Sequence, residues 1–162
     1  MHAKLLALLI VALFISSCTL AAKPVLKIED AWVKAAKVSE ITAGDLNNSC
    51  ICDVKTATFS TNAYMNIQNP SGSPDRLLKA EAEGISRIEF RGSTSAADLT
   101  AIPAPLDTID LPANGSLLFA PGSYAMLLMG MKKDLKPGET LKLSLYFEKA
   151  GKIDLTLAIR TE

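Results

Sequence analysis

The sequence predicts an all-β fold, either an antiparallel β-sandwich or a small barrel. The two clearest strands lie near the C-terminus, where apolar and polar residues alternate from Thr140 to Glu148 and again from Ile153 to Ile159. Turn signals rich in glycine, proline and asparagine divide the preceding chain into further short segments at nearly regular spacing. No segment shows a convincing helical period, so helices are not expected to contribute to the core.

The first strand is expected at Val25–Val33, where β-branched residues alternate roughly with polar ones. Residues 34–62 then lack any strong period and are rich in Ser, Thr, Asn and Gly. Because long irregular loops are uncommon in compact domains, this segment is expected to be functional or mobile. The second strand is expected at Ala63–Asn69.

Further strands are predicted at Arg76–Glu83 and Ser86–Phe90, on either side of Gly84. The Asn-Gly pair within Ala113–Ser116 is typical of a tight β-hairpin turn. In the last two strands one face is predicted to be buried. Its residues are Leu141, Leu143, Leu145 and Phe147, followed by Ile153, Leu155, Leu157 and Ile159.

The N-terminus has the pattern of a secretion signal. Lys4 precedes the apolar run Leu5–Phe14, which is too short to span a bilayer but suits a signal-peptide core. The following Ile-Ser-Ser-Cys resembles a bacterial lipobox, in which Cys18 is lipidated and anchors the protein to a membrane. Cleavage near Ala22, with Cys18 discarded, is the alternative.

These patterns divide the chain into residues 1–18 as a lipoprotein signal peptide, residues 19–24 as a tether and residues 25–162 as one β domain. On either alternative for the N-terminus, the mature protein is expected outside the cytoplasm, in the periplasm or at the cell surface. A lipidated Cys18 makes the membrane its first expected partner.

Charge and histidine content narrow the function. Lys+Arg and Asp+Glu number 17 each in 162 residues, and no basic stripe is present, which argues against nucleic-acid binding. The only histidine is His2, inside the signal segment. The mature chain therefore has no Ser-His or Cys-His nucleophile, and it also lacks a phosphate-binding glycine loop, so an enzyme is not expected.

The order of several motifs resembles the PCu(A)C copper-chaperone family. They are "IEDAWVKA", "AYMNIQN", "DRLLKAEAEGISRIEF" and the segment from "LPANGSLLFAPGSYAMLLMG" to "LTLAIR". The resemblance implies a cupredoxin-like β-sandwich or barrel with a long loop inserted after the first strand. It also implies an extracytoplasmic Cu(I) carrier, for which an assembly protein of the cytochrome oxidase copper centre is the implied partner.

The family's ligands are histidines and methionines. In this chain the resemblance places both histidines on other residues and leaves at most one methionine in place. The first histidine falls at Arg91, the next methionine near Ile102, and the His-x-Met pair at Ala125 and Leu127. An alternative count places that pair at Tyr124 and Met126. A guanidinium is permanently charged and has no lone pair for a metal, so Arg91 would repel a cation.

Cys50 and Cys52 form the remaining pair of soft ligands. Three interpretations stay open: a relocated Cu(I) site, a strained disulfide, and an inert loop. In the first, Met65 or Met126 is the expected additional ligand. Core packing is the simpler role for Met129 and Met131, which strand alternation places on the face of Ala125 and Leu127, opposite Met126. Trp32, Tyr64 and Tyr124 are interpreted as structural aromatics.

Overall fold

The computed structural model describes residues 23–38, 60–92 and 104–161. The predicted signal peptide, Cys18, the Cys50/Cys52 pair and Ile102 lie outside these residues. All regular elements within the described ranges are strands. They are β1 Lys27–Lys34, β2 Ser60–Asn69, β3 Asp75–Ala82, β4 Ile85–Arg91, β5 Pro105–Leu106, β6 Ile109–Leu111, β7 Gly115–Phe119, β8 Ala125–Met131, β9 Thr140–Phe147 and β10 Lys152–Arg160.

The strands form one strongly curved sheet in the order β5-β4-β8-β2-β1-β10-β9-β3-β6. Strand β7 pairs with β2 over Met65–Asn69, and β8 pairs with β2 over Ser60–Ala63. Every pairing is antiparallel except that between β1 and β10, which is parallel. The all-β prediction is therefore confirmed, and the parallel pair is a feature that the sequence pattern did not reveal.

The predicted alternation places the core correctly at the C-terminal strands. On β9 the predicted inward face is buried throughout, with Leu145 fully inaccessible to solvent. On β10, Leu157 and Ile159 are buried, whereas Ile153 and Leu155 are partly buried and pack against the core. Alternate residues on paired strands share one face, so the β9–β10 register brings these side chains together.

The Asn-Gly segment forms a turn, but the predicted hairpin is wrong. Strand β6 pairs with β3, and β7 pairs with β2, so the turn carries the chain between two parts of the sheet. Asn114 adopts the positive φ of 52°, and the Gly115 N–H donates to the Pro112 carbonyl at 3.2 Å. The burial of apolar side chains accounts for this strand pairing. Leu111 is buried where β6 lies beside β3, and Leu117 is buried where β7 lies beside β2.

Strand β8 departs from the predicted alternation at its end. Met126 is fully buried, and Met129 lies on the opposite, half-buried face, as the pattern requires. Core packing was expected for both Met129 and Met131. Met131 is buried in the core, though on the face opposite to the one that strict alternation assigns to it, whereas Met129 is only half-buried. The intervening Gly130 has a φ of +66°, and a Cβ there would lie 2.8 Å from the Cβ of Ser86. This left-handed residue breaks the alternation and turns Met131 inward.

The predicted loop boundaries at residues 34–62 are too wide. Strand β1 continues through Lys34, and β2 already begins at Ser60. Between them Ala36 exchanges backbone hydrogen bonds with Leu135, at 3.1 and 2.8 Å. The Val38 N–H also donates to Asp134 Oδ1 at 2.8 Å, so the chain leaving β1 is held to the sheet through Val38.

The positive φ of Asp30 in β1 predicts how substitutions at this residue change the stability of the protein. The register between β1 and β2 shifts between Glu29 and Trp32, and the exposed Asp30 there has a φ of +51°. Because a β-branched residue tolerates positive φ poorly, Asp30→Val is expected to lower the free energy of unfolding by about 1–2 kcal/mol. Asp30→Gly is expected to stay within about 1 kcal/mol of the parent. Urea unfolding of the three proteins measures this, and equal stability of the Val variant would contradict it.

Candidate functional site

Two of the positions that the resemblance assigns to copper ligands face each other directly. Arg91 on β4 and Ala125 on β8 are cross-strand partners, and Leu127 stands opposite Glu89 two residues away. Residues two apart on a strand share a face, so these four side chains lie together. Phe90 lies on the other face, in the core. The sequence resemblance alone did not give this register.

An internal ion pair occupies this part of the sheet. Arg91 approaches Glu89 Oε1 through Nη2 at 3.0 Å and donates to the same oxygen through Nε at 3.1 Å. The second carboxylate oxygen accepts a hydrogen bond from Arg87. The side chain of Glu89 is only 10% exposed. The hydrogen bond from Arg87, together with the positive charge of Arg91, lowers the pKa of Glu89 from its ordinary value.

The side chains at the three assigned positions Arg91, Ala125 and Leu127 offer no lone pair to a copper ion. Guanidinium groups offer no lone pair, and Ala125 and Leu127 carry no donor atom. Sequence reasoning missed Glu89, although the pattern Arg-x-Glu-x-Arg at residues 87–91 was a readable signal. On a strand that spacing aligns all three charges on one face, with the carboxylate between the two guanidiniums.

Met65 and Met126 lie elsewhere. Met65 is 2% exposed and Met126 is fully buried, and both belong to the core cluster. Strand alternation on β8 places Met126 on the opposite face of the sheet from Ala125 and Leu127. The structure therefore does not bring these thioethers together with the Arg91 position.

The turn between β7 and β8 is tightly held by its own hydrogen bonds. The Ser123 N–H donates to the Ala120 carbonyl at 3.0 Å, and Ser123 Oγ donates to the Leu118 carbonyl at 2.9 Å. The ring of Tyr124 packs against Phe119 with centroids 6.4 Å apart, which supports its structural interpretation. The turn thus presents Ala125 at a fixed place beside β4.

Cation-binding groups are sparse in the part of the chain that the structure describes. There, no three His, Cys, Asp or Glu residues are grouped so that they could hold a metal ion.

Among the same residues, no helix is long and apolar enough to cross a membrane. Cys50, Cys52 and Ile102, which the sequence analysis singled out, lie beyond the described ranges.

Comparison with known proteins agrees with this picture of the fold. The family model for putative LpqE-like lipoproteins matches residues 26–159. The chain belongs to this LpqE-like family. A search of curated protein sequences finds no match.

Solved structures extend the comparison of this LpqE-like protein to copper-binding domains. It is similar to the copper-bound PCuAC domain from PmoF2, with a TM-score of 0.62 and 23% identity over 87% of this chain and 97% of that one. The apo PCuAC domain from PmoF1 gives a TM-score of 0.62 and 26% identity, covering 85% and 94% of the two chains. Cu(I)-bound DR1885 from Deinococcus radiodurans gives 0.56 and 21%, covering 87% and 83%. The resemblance to the PCu(A)C family is therefore confirmed.

Proposed function

We propose that this protein is an extracytoplasmic copper chaperone-like lipoprotein that binds Cu(I) through Cys50 and Cys52, away from the family's ligand positions. The observation that carries the proposal is the combination of two facts. The chain shares its fold with a copper-bound PCuAC domain over 87% of its length. Yet the Arg91–Glu89 ion pair stands where the resemblance expects a copper-binding histidine.

Ligand chemistry supports the cysteines. Cu(I) is a soft cation that prefers thiolate and thioether sulfur, and two thiolates can hold it in a nearly linear arrangement. Cys18 is assigned to the lipid anchor and His2 to the signal segment. The mature chain then has no imidazole, and its only free thiols are those of Cys50 and Cys52. Burial makes Met65 and Met126 weaker candidates for additional ligands, because each would have to leave the core.

The N-terminal pattern and the family fit a role at a membrane surface. A lipid on Cys18 would hold the domain near the membrane, as in the LpqE-like lipoproteins whose family model matches the chain. A carrier placed there could pass Cu(I) to an assembly protein of the cytochrome oxidase copper centre, the partner that the PCu(A)C resemblance implies. Such transfer requires both thiols to be reduced, since a disulfide between them would remove the ligands.

A second function is favoured by the same ion pair. Glu89 is already paired with Arg87 and Arg91, so its carboxylate needs no metal ion as a partner. The domain could then serve as a metal-free binding or assembly module on the same fold. In that case Cys50 and Cys52 would form a disulfide or remain without function.

The two functions are separated by a Cu(I) competition titration under reductant, on the protein from Lys23 onward. We expect the parent to hold one equivalent of Cu(I) and the Cys50→Ser/Cys52→Ser variant to lose it, because serine hydroxyls are poor ligands for a soft cation. Met126→Leu is the matched control for the core thioether and is expected to bind like the parent.

Each other outcome has a clear meaning. If neither the parent nor the cysteine variant binds, the copper proposal is wrong and the metal-free module is favoured. If both bind equally, the ligands are not the cysteines. Loss of binding in Met126→Leu would then identify the buried methionine as a ligand.

A further inference from the structure

The outer face of β2 is lined by neutral polar groups. Its outward side chains are those of Ser60, Asn62, Tyr64, Asn66 and Gln68. At a rise of about 3.3 Å per residue, the stretch from Asn62 to Gln68 spans about 20 Å. The charged residues Arg87, Glu89 and Arg91 of β4 lie two strands away, beyond β8. This row of amides is therefore a surface separate from the family's copper position at Arg91.

Two concavities lie along this row. One, of about 400 Å³, is lined at the Gln68 end of β2 by Asn66, Gln68, Asn69, Pro70, Asn114, Gly115 and Ser116. The other, of about 250 Å³, lies at the Asn62 end and reaches the β7–β8 turn and Tyr124. Neither is lined by an Asp, Glu, Lys or Arg side chain. On the adjoining strand Lys27 and Glu29 stand opposite Gln68 and Asn66, but they pair with each other at 2.5 Å, so the charges that flank the row are balanced. The linings of the two concavities therefore suit an extended ligand without charge.

Several polar groups in the larger concavity lack a protein partner. Within residues 23–38, 60–92 and 104–161, Asn66, Asn114 and Ser116 make no side-chain hydrogen bond. Gln68 donates through Nε2 to Glu29 at 2.6 Å, which leaves its Oε1 as an acceptor. Neighbouring Asn69 differs, because it is buried and its amide bonds to Ser71, Ser73 and Pro112. The unpartnered amides and hydroxyl can both donate and accept.

An aromatic pair stands beside these amides. The rings of Trp32 on β1 and Tyr64 on β2 stack with centroids 4.4 Å apart and an interplanar angle of 29°. Both residues are half-buried, and Tyr64 also lines the smaller concavity. Leu118 on β7, directly opposite Asn66, is 46% exposed. One stacked aromatic pair and one exposed leucine therefore stand among the carboxamides of this face.

We infer that this outer face of β2 binds a neutral oligosaccharide. Sugar rings combine apolar C–H faces, which pack on aromatic side chains, with hydroxyls that both donate and accept hydrogen bonds. The absence of charged side chains from the lining of both concavities disfavours phosphates, metal ions and strongly charged polymers. The extended, two-part shape fits a linear chain of sugars better than a single ring. This binding is independent of copper.

The experiment uses the protein from Lys23 onward, which contains every described strand, in the Cys50→Ser/Cys52→Ser background without metal. Trp32 is the only tryptophan, so its fluorescence reports directly on this face. The probes are maltohexaose, cellohexaose and mannohexaose at millimolar concentration. At least one is expected to give a saturable change. Asn66→Ala/Gln68→Ala is expected to weaken its binding at least about tenfold through lost hydrogen bonds.

The control variant is Lys142→Ala/Thr156→Ala, a directly opposed pair on the β9–β10 surface, which should bind like the parent. Circular dichroism confirms that both variants are folded. No saturable change with any of the three sugars would overturn the inference. It would also be overturned if a neutral extended peptide bound here while the sugars did not, or if both variants weakened binding equally.

Discussion

The triple variant Arg91→His/Ala125→His/Leu127→Met is expected to create a Cu(I) site. Arg91 and Ala125 are direct cross-strand partners, and such pairs have Cβ atoms about 4.5–5.5 Å apart. Two imidazoles at this spacing can converge on one ion. A methionine at position 127 lies on the same face and adds a thioether, so the three groups restore the soft ligand types that the PCu(A)C resemblance implies.

Electrostatics reinforces this expectation. The substitution of Arg91 removes a permanent positive charge from the site. Glu89 keeps its hydrogen bond from Arg87, so its half-buried carboxylate is not left without a partner. That carboxylate then contributes negative charge close to the bound cation. The variant therefore replaces repulsion by attraction at the position of the metal.

The measurement is a competition titration with a chromogenic Cu(I) chelator in the Cys50→Ser/Cys52→Ser background. We expect at least about a hundredfold gain in affinity over that background, equivalent to about 2.8 kcal/mol. The matched control, Arg91→Gln/Ala125→Gln/Leu127→Met, removes the same charge and fills similar space without imidazole. If the two triple variants bind alike, the assignment of these positions to the family site is wrong.

The sequence predicted best those strands in which one face lies in the core and the other in solvent, with no other constraint on the backbone. Thr140–Phe147 has one face in the core and one in solvent, so strict alternation defined both its extent and its buried side. Two further features shape strand β8. Gly130 has a left-handed backbone conformation, and its backbone lies close against Ser86. The pattern of the sequence contains neither, so it placed Met131 on the face of Met129 rather than on that of Met126.

The candidate site was predictable only in part, for a related reason. The resemblance assigned the family's ligand positions to Arg91, Ala125 and Leu127, whose side chains have no lone pair to offer copper. That Arg91 opposes Ala125 depends on the register of β4 and β8, which is set by burying Phe90 and Met126 on the other face. Register is a property of two strands together, so a pattern read along one strand does not define it.

The failure of the predicted hairpin at Asn114 has the same origin. Local turn chemistry was recognised correctly, since the turn forms and Asn114 adopts positive φ. Which strands pair is a non-local matter, decided by how β6 and β7 bury their leucines against different neighbours. Sequence signals of short range thus predicted where the chain turns, but not what it turns towards.

Asp75→Ala is expected to be the most destabilising of the substitutions considered. Asp75 is 4% exposed at the start of β3. Its Oδ1 accepts from the Arg76 and Lys149 backbone N–H groups at 2.7 and 2.9 Å, and its Oδ2 accepts from the Ala150 N–H at 2.9 Å. One carboxylate therefore ties the beginning of β3 to the turn between β9 and β10.

Truncation to alanine would leave three backbone donors without partners in a confined space. Each fully buried donor without a partner costs roughly 1–3 kcal/mol. These three hydrogen bonds are only partly buried, so a total near the lower end, about 3–5 kcal/mol, is expected. That is a large part of the 5–15 kcal/mol typical of a whole domain. Asp75→Asn keeps one acceptor oxygen but turns an amide N–H₂ towards a donor, and it should lose an intermediate amount.

Denaturant unfolding monitored by circular dichroism measures these losses, and Asp110→Ala is the matched control. Asp110 lies on the neighbouring strand opposite Arg76 and pairs with its guanidinium at 2.7 Å, but its side chain is 79% exposed. Exposed ion pairs contribute only about 0–1 kcal/mol, so this variant should remain close to the parent. Comparable losses in Asp75→Ala and Asp110→Ala would mean that the backbone donors find water once the carboxylate is gone. A much larger loss of unfolding free energy in Asp75→Ala than in Asp110→Ala would show that the buried Asp75 carboxylate holds the β9–β10 turn against β3.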